Sequence, residues 1–163
     1  MGYNPEIHHR NSIRLKDFDY SSPGAYFVTC VMQDRLNLLG EIIDAGVKLN
    51  QFGNLVSTEW LRLPQRFPGI EIDEVVVMPN HIHGIVILTD LKPDWNLAVI
   101  VGSFKSSTAR LINAYRKSRG NPVWQRNYYE HIIRNEEDLN RIREYIRDNP
   151  INWMQDEEYQ KDH

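Results

Sequence analysis

Residues 70–88 read IEIDEVVVMPNHIHGIVIL. Ile70 to Val77 is rich in β-branched residues and predicts a strand, Met78-Pro79-Asn80 breaks or bulges it, and His81 to Leu88 continues as a second strand. Successive strand side chains point to opposite faces, so His81 and His83 project side by side from one face while Ile82 turns to the other, towards the core. Two neutral imidazoles spaced this way can share one divalent cation. A His-x-His pair is a weak signal by itself. The flanking Val75-Val76-Val77 and Ile85-Val86-Ile87-Leu88 make this a central strand, where two histidines are costly to bury without a partner.

On the N-terminal side, the first twenty residues are polar, with the clusters His8-His9-Arg10 and Arg14-Leu15-Lys16, and read as an extended arm over 1–20. Ala25 to Gln33 predicts a strand and Leu36 to Ile43 a second one. Val47 to Leu63 carries apolar residues near helical spacing, weakened by Gly53. On the C-terminal side, Asn96 to Lys117 predicts a long amphipathic helix, starting late because of Gly102. Asn121-Pro122 marks a turn, and Val123 to Ile133 predicts a strand. Asn135 is a candidate N-cap, followed by Glu136, Glu137 and Asp138 in a first turn that favours acids. The helix it opens keeps Leu139, Ile142 and Ile146 on one face and should stop near Asn149, because Pro150 disfavours helical geometry just before it. Strands alternating with two or three helices imply an α+β fold, a ferredoxin-like sandwich whose antiparallel sheet has helices packed on one face. The expected organisation is one domain over 21–153 and an acidic tail over 154–163.

Composition narrows the classes. The chain of 163 residues is 41% hydrophobic and 25% charged, the balance of an ordinary globular protein long enough to bury a core. One cysteine, Cys30 in an apolar run, excludes an internal disulfide and a cysteine-cluster zinc site. No apolar stretch approaches the roughly 20 residues of a membrane span, and the charged N-terminus lacks a signal-peptide pattern, so cytoplasmic residence is expected. The net charge of −3 hides an uneven distribution. From Val101 to Arg134 seven basic residues face only Glu130, whereas Gln155 to Asp162 carries four acids against one lysine. A basic middle beside an acidic end is the pattern of a surface that meets phosphate.

Two histidines leave a cation short of ligands, and the last helix offers a candidate. Tyr145 and Asn149, at i and i+4, stack on one helix face. An Asn oxygen can complete a hard-metal site and leave positions for phosphate oxygens and water. A phenol of ordinary pKa near 10 is a poor nucleophile at neutral pH, but a cation beside it favours the phenolate and polarises the phosphate it attacks. Tyr115, Tyr128, Tyr129 and Tyr159 compete for this role. Only Tyr145 has an asparagine four residues on.

Met78-Pro79-Asn80-His81-Ile82-His83-Gly84 resembles the His-hydrophobic-His motif of HUH transposases. Glu144-Tyr145-Ile146-Arg147-Asp148-Asn149-Pro150 resembles the Tyr-Ile-x-x-Asn-Pro tyrosine helix of REP-associated tyrosine transposases. Ser103-Phe104-Lys105-Ser106, Val123-Trp124-Gln125-Arg126 and Tyr128 to Asn135 also look like that family, and the likeness runs in order over about residues 20 to 153. The resemblance implies a tyrosine that attacks single-stranded DNA to give a 5′-phosphotyrosine and a free 3′-OH. It further implies dependence on Mg²⁺ or Mn²⁺ and recognition of short hairpins of repetitive extragenic palindromes. By the same match His81 and His83 become metal ligands, Asn149 the third ligand and Tyr145 the nucleophile.

Lys105, Arg110, Arg116, Lys117 and Arg126 are the expected contacts to the DNA backbone, joined by Arg10 and Arg14 of the arm. Such a protein would associate with the nucleoid when bound to DNA. The chain ends soon after the tyrosine helix, without a long dimerisation segment, which leaves both monomer and homodimer open. Two other readings compete: a catalytically silent hairpin-binding module for DNA or RNA on the same fold, and a nickase of the replication-initiator or relaxase kind.

Overall fold

A two-residue turn, Pro79-Asn80, joins the strands that the opening stretch predicts. In the computed structural model, which describes residues 23–90 and 92–159, these are β4 (Ile70–Met78) and β5 (His81–Leu88). They follow β1 (Gly24–Val31), a hairpin of β2 (Gly40–Ile43) and β3 (Gly46–Leu49), α1 (Gln51–Leu61) and the short α2 (Leu63–Arg66). After them come α3 (Leu97–Arg116), β6 (Tyr129–Ile133) and α4 (Glu136–Asp148). The expected arm over 1–20, with Arg10 and Arg14, lies outside the described residues.

The main sheet has the order β4-β5-β1-β6, antiparallel throughout. With the β2–β3 hairpin set aside, this is the order of a ferredoxin-like βαββαβ unit. Each central strand alternates two apolar sets, and each set has its own layer. Val28 and Cys30 of β1 and Ile82 and Val86 of β5 pack with Trp60 of α1 and Ile100 and Phe104 of α3. These two helices on one face make the expected sandwich. Phe27 of β1 and Ile85 of β5 point the other way and meet Ile142 and Ile146 of α4. The tyrosine helix therefore lies on the same face as His81 and His83.

Three local expectations differ in extent. Leu36–Ile43 is strand only from Gly40, because Asp34 and Arg35 take left-handed backbone (φ 55° and 52°) and the Leu39 N–H bonds Pro79 O instead of a ladder. Val47–Leu63 divides into β3 and α1, since the Asn50 side chain accepts from the N–H groups of Phe52 and Gly53 and starts the helix there. A side chain at Gly53 would run into Leu39 O, so the residue that weakens the helical pattern is the one the close approach requires. Val123–Ile133 is a strand only from Tyr129. Ahead of it, residues 123–127 form a strap held by Gln33 N–H to Val123 O and Gln125 N–H to Val31 O. By contrast α3 begins at Leu97 despite Gly102, capped by Asn96, and α4 begins after the cap Asn135.

Candidate metal centre and tyrosine site

His81 and His83 stand at the start of β5, where both rings are buried: His81 has no exposed surface and His83 4%. Their Nε2 atoms are 3.0 Å apart. Two donors held at about 2.1 Å by one cation, at a right angle, would stand about 3.0 Å from each other. Each ring is fixed from behind through Nδ1, His81 against Asn80 Oδ1 at 2.8 Å and His83 against Thr29 Oγ1 at 2.6 Å. Phe27 stacks on His83, and Trp153 lies against His81.

The third member of this group was not evident in the sequence. Residues 154–159, read there as part of an acidic tail, fold back under the histidines through a 3₁₀ turn at Trp153–Gln155. Asp156 Oδ2 lies 3.8 Å from the Nε2 atoms of both His81 and His83, and the three side chains form a candidate cation group. Burial works to raise the Asp156 carboxyl, but the nearby His83 and His81 rings and the Glu158 N–H hold it well below the usual carboxylate range. Burial, then the neighbouring His83, pushes His81 down to about 3, so its imidazole is neutral at physiological pH. The acid run 156–158 looks like a solvated tail in sequence, and nothing in its spacing signals that one carboxylate is buried.

Helix α4 brings the remaining predicted residues. Tyr145 Oη is 3.5 Å from His83 Nε2, with its ring edge-on to those of Phe27 and His83. Burial, then the charges of Asp156 and Glu157, holds this phenol above its ordinary pKa. Asn149, 2% exposed, donates from Nδ2 to Asp156 Oδ2 at 2.9 Å. Its buried Oδ1 has no hydrogen-bond partner among the described residues. Two ion pairs clasp the helix to a bulge in β4: Arg143 to Asp73 at 2.5 Å and Arg147 to Glu74 at 2.5 Å, where the strand register shifts between Ile72 and Val75. The structure thus gathers His81, His83, Tyr145 and Asn149 in one place, sixty residues of sequence notwithstanding.

The basic residues are less uniform. Arg110, Arg116 and Lys117 are exposed along α3, which covers the opposite face of the sheet, and Arg126 is exposed on the strap. Lys105, expected at phosphate, is half-buried. Its ammonium donates to the carbonyls of Gln125, Arg126 and Asn127 at 2.6, 3.1 and 3.3 Å, which engages all three of its N–H groups. It holds the strap that presents Arg126.

Residues 60–149 match the family model described as "Transposase IS200 like". A Haemophilus influenzae protein of uncharacterised function is 43% identical, over 96% of this chain and 97% of its own. A second protein of that organism, described as a REP-associated tyrosine transposase, is 28% identical over 82% of this chain and 73% of its own length. Among solved structures, a REP-associated tyrosine transposase bound to a REP hairpin superposes with a TM-score of 0.65 at 22% identity, over 86% of this chain and 74% of that one. A Deinococcus radiodurans protein described as a transposase superposes with a TM-score of 0.52 at 17% identity, over 81% and 95%. At those identities the two structures show the shared fold.

Proposed function

Because this chain belongs to the IS200-like transposase family, we propose that it nicks and rejoins single-stranded DNA through Tyr145, with a divalent cation, Mg²⁺ or Mn²⁺, at His81 and His83. The observation that carries this reading is the 3.5 Å approach of Tyr145 Oη to His83 Nε2. A tyrosine on one element and a histidine pair on another meet on one face of the sheet.

The donor set fits a hard or borderline cation. It offers two imidazoles, one carboxylate held ionised and, on Asn149, a buried amide oxygen without a hydrogen-bond partner among the described residues. When bound, such a cation polarises a phosphate and favours the phenolate. Asp156 and Glu157 oppose loss of the Tyr145 proton, and a cation in the same place opposes them in turn.

In the step itself Tyr145 Oη bonds to phosphorus as the bond from phosphorus to the 3′-oxygen breaks. The phenolic proton leaves to water, and the departing 3′-oxygen takes one up. The 5′-phosphotyrosine keeps the energy of the broken diester, so another 3′-OH reverses the step and joins strands without ATP. Arg126, Arg110, Arg116 and Lys117 are the backbone contacts of this reading. The relative solved with a REP hairpin supports a short palindromic hairpin as the substrate.

The test is incubation with Mn²⁺ and single-stranded oligonucleotides containing such hairpins. Wild type should give a covalent protein–DNA adduct and a free 3′-OH, and Tyr145→Phe should bind without either. An adduct retained in Tyr145→Phe would sink the assignment, and hairpin binding by wild type without nicking would favour a silent binding module.

A further inference from the structure

The turn that carries the histidine strand is itself buried, which is unusual for a hairpin. Pro79 and Asn80 are covered by the segment 32–39 and by the returning C-terminal residues. Every polar backbone acceptor of the turn is used: Pro79 O takes the Leu39 N–H at 2.9 Å, and Asn80 O takes the Met32 N–H at 2.8 Å. The Asn80 side chain, with no exposed surface, stands at the centre of this packing.

Its orientation follows from its partners. Nδ2 lies 2.6 Å from Glu158 O and 3.3 Å from Arg35 O. Carbonyls only accept, so the amide nitrogen must face them and Oδ1 must face His81 Nδ1 at 2.8 Å. Oδ1 also only accepts. His81 Nδ1 therefore carries the proton, and the lone pair of a neutral His81 sits on Nε2, towards His83 and Asp156.

We propose that Asn80 is a positioning residue that locks His81 in the Nδ1–H tautomer and so presents Nε2 to a cation. The inference rests on the reading of His81 and His83 as metal ligands. His83 differs in kind. Its Nδ1 faces Thr29 Oγ1, and a hydroxyl can donate or accept. Its Nε2 faces His81 Nε2 at 3.0 Å and Asp156 Oδ2 at 3.8 Å, so among the described residues no neighbour of His83 fixes its tautomer as Asn80 fixes that of His81. With a cation at His83 Nε2, the Thr29 hydroxyl would accept from Nδ1–H. One ligand is fixed in advance and the other adapts.

Two measurements test this. Long-range ¹H–¹⁵N correlation spectra of metal-free wild type should show His81 as the Nδ1–H tautomer, and an Nε2–H pattern would overturn the proposal. Mn²⁺ binding, followed by the loss of the free-ion electron paramagnetic resonance signal, should weaken about 10- to 100-fold in Asn80→Ala. Asn80→Asp keeps an acceptor at Nδ1 and should preserve the tautomer. An Asn80→Ala protein that keeps both the Nδ1–H tautomer and wild-type Mn²⁺ affinity also overturns it. If wild type binds no Mn²⁺ while His81 is Nδ1–H, the metal reading falls and the tautomer lock stands.

Discussion

The indole of Trp60 occupies the space that any side chain at Gly84 would need: a Cβ built there falls 2.5 Å from Trp60 Cζ2 and 2.9 Å from its Nε1. Gly84 follows His83 directly and sits over a ring with no exposed surface. Gly84→Ala must shift either a fully buried indole or β5, and overpacking of this kind costs about 1–3 kcal/mol. Chemical denaturation should show that loss. A paired Trp60→Leu substitution, which makes room, should recover part of it, and a strictly additive double variant would contradict the contact.

The clasp between Arg143 and Asp73 should make stability depend on acid. Hydrogen bonds from Arg143 hold the Asp73 carboxyl below its ordinary range. Its folded value lies below the unfolded one, so its contribution is complete above about pH 3.9 and lost as pH falls through the folded value. Both partners are partly exposed, which limits the pair to roughly 1 kcal/mol. Asp73→Asn should therefore be less stable than wild type at pH 7, with the gap closing as the pH falls below the ordinary aspartate range. A constant gap across that range would assign the loss to packing.

Arg126 and Lys105 should separate in a salt titration. Arg126 is exposed on the strap, and a phosphate contact there should show as a fall of about 1 in the slope of log affinity against log salt on Arg126→Ala. Lys105→Ala should instead destabilise the protein, by about 1–3 kcal/mol for carbonyls that lose a charged donor. An undiminished fold with a reduced salt slope in Lys105→Ala would return that lysine to the DNA interface.

Asp156→Ala should weaken Mn²⁺ binding by at least tenfold if the carboxylate beside both imidazoles holds the cation. Calorimetry at neutral pH reads this directly. Unchanged affinity would leave Asn149 Oδ1 as the third protein ligand.

What sequence could supply here follows from periodicity. The two-residue repeat of β5 places His81 and His83 together and sends Ile82 to α1 and α3, and the i, i+4 repeat of α4 stacks Tyr145 over Asn149. Both patterns are local, and both were legible. The role of Asp156 depends on the chain turning back after Trp153, which no periodic pattern encodes. Lys105 looks like any lysine of a basic helix, and only the strap at 125–127 shows where its charge goes. Val123–Asn127 has strand-like residues but pairs through one isolated bridge, Met32 to Trp124, because the Trp124 indole turns to Thr108 of α3. Asn80 lies between. The Met-Pro-Asn run stands out in sequence, but its partners Arg35 and Glu158 are 45 and 78 residues away.

The alternation in β5 has a consequence for how this protein can diverge. One residue inserted or deleted between His81 and Leu88 would exchange the faces of everything after it. A change between His81 and His83 would send His83 into the layer beneath α1 and α3, and one further along would carry Val86 and Leu88 out of that layer to the side beneath α4. A change of length along this strand would have to be absorbed as a bulge, as β4 absorbs one between Ile72 and Val75. Gains and losses of chain should be confined to the connections, and an alignment of relatives without gaps over these eight positions would be the historical trace of that constraint.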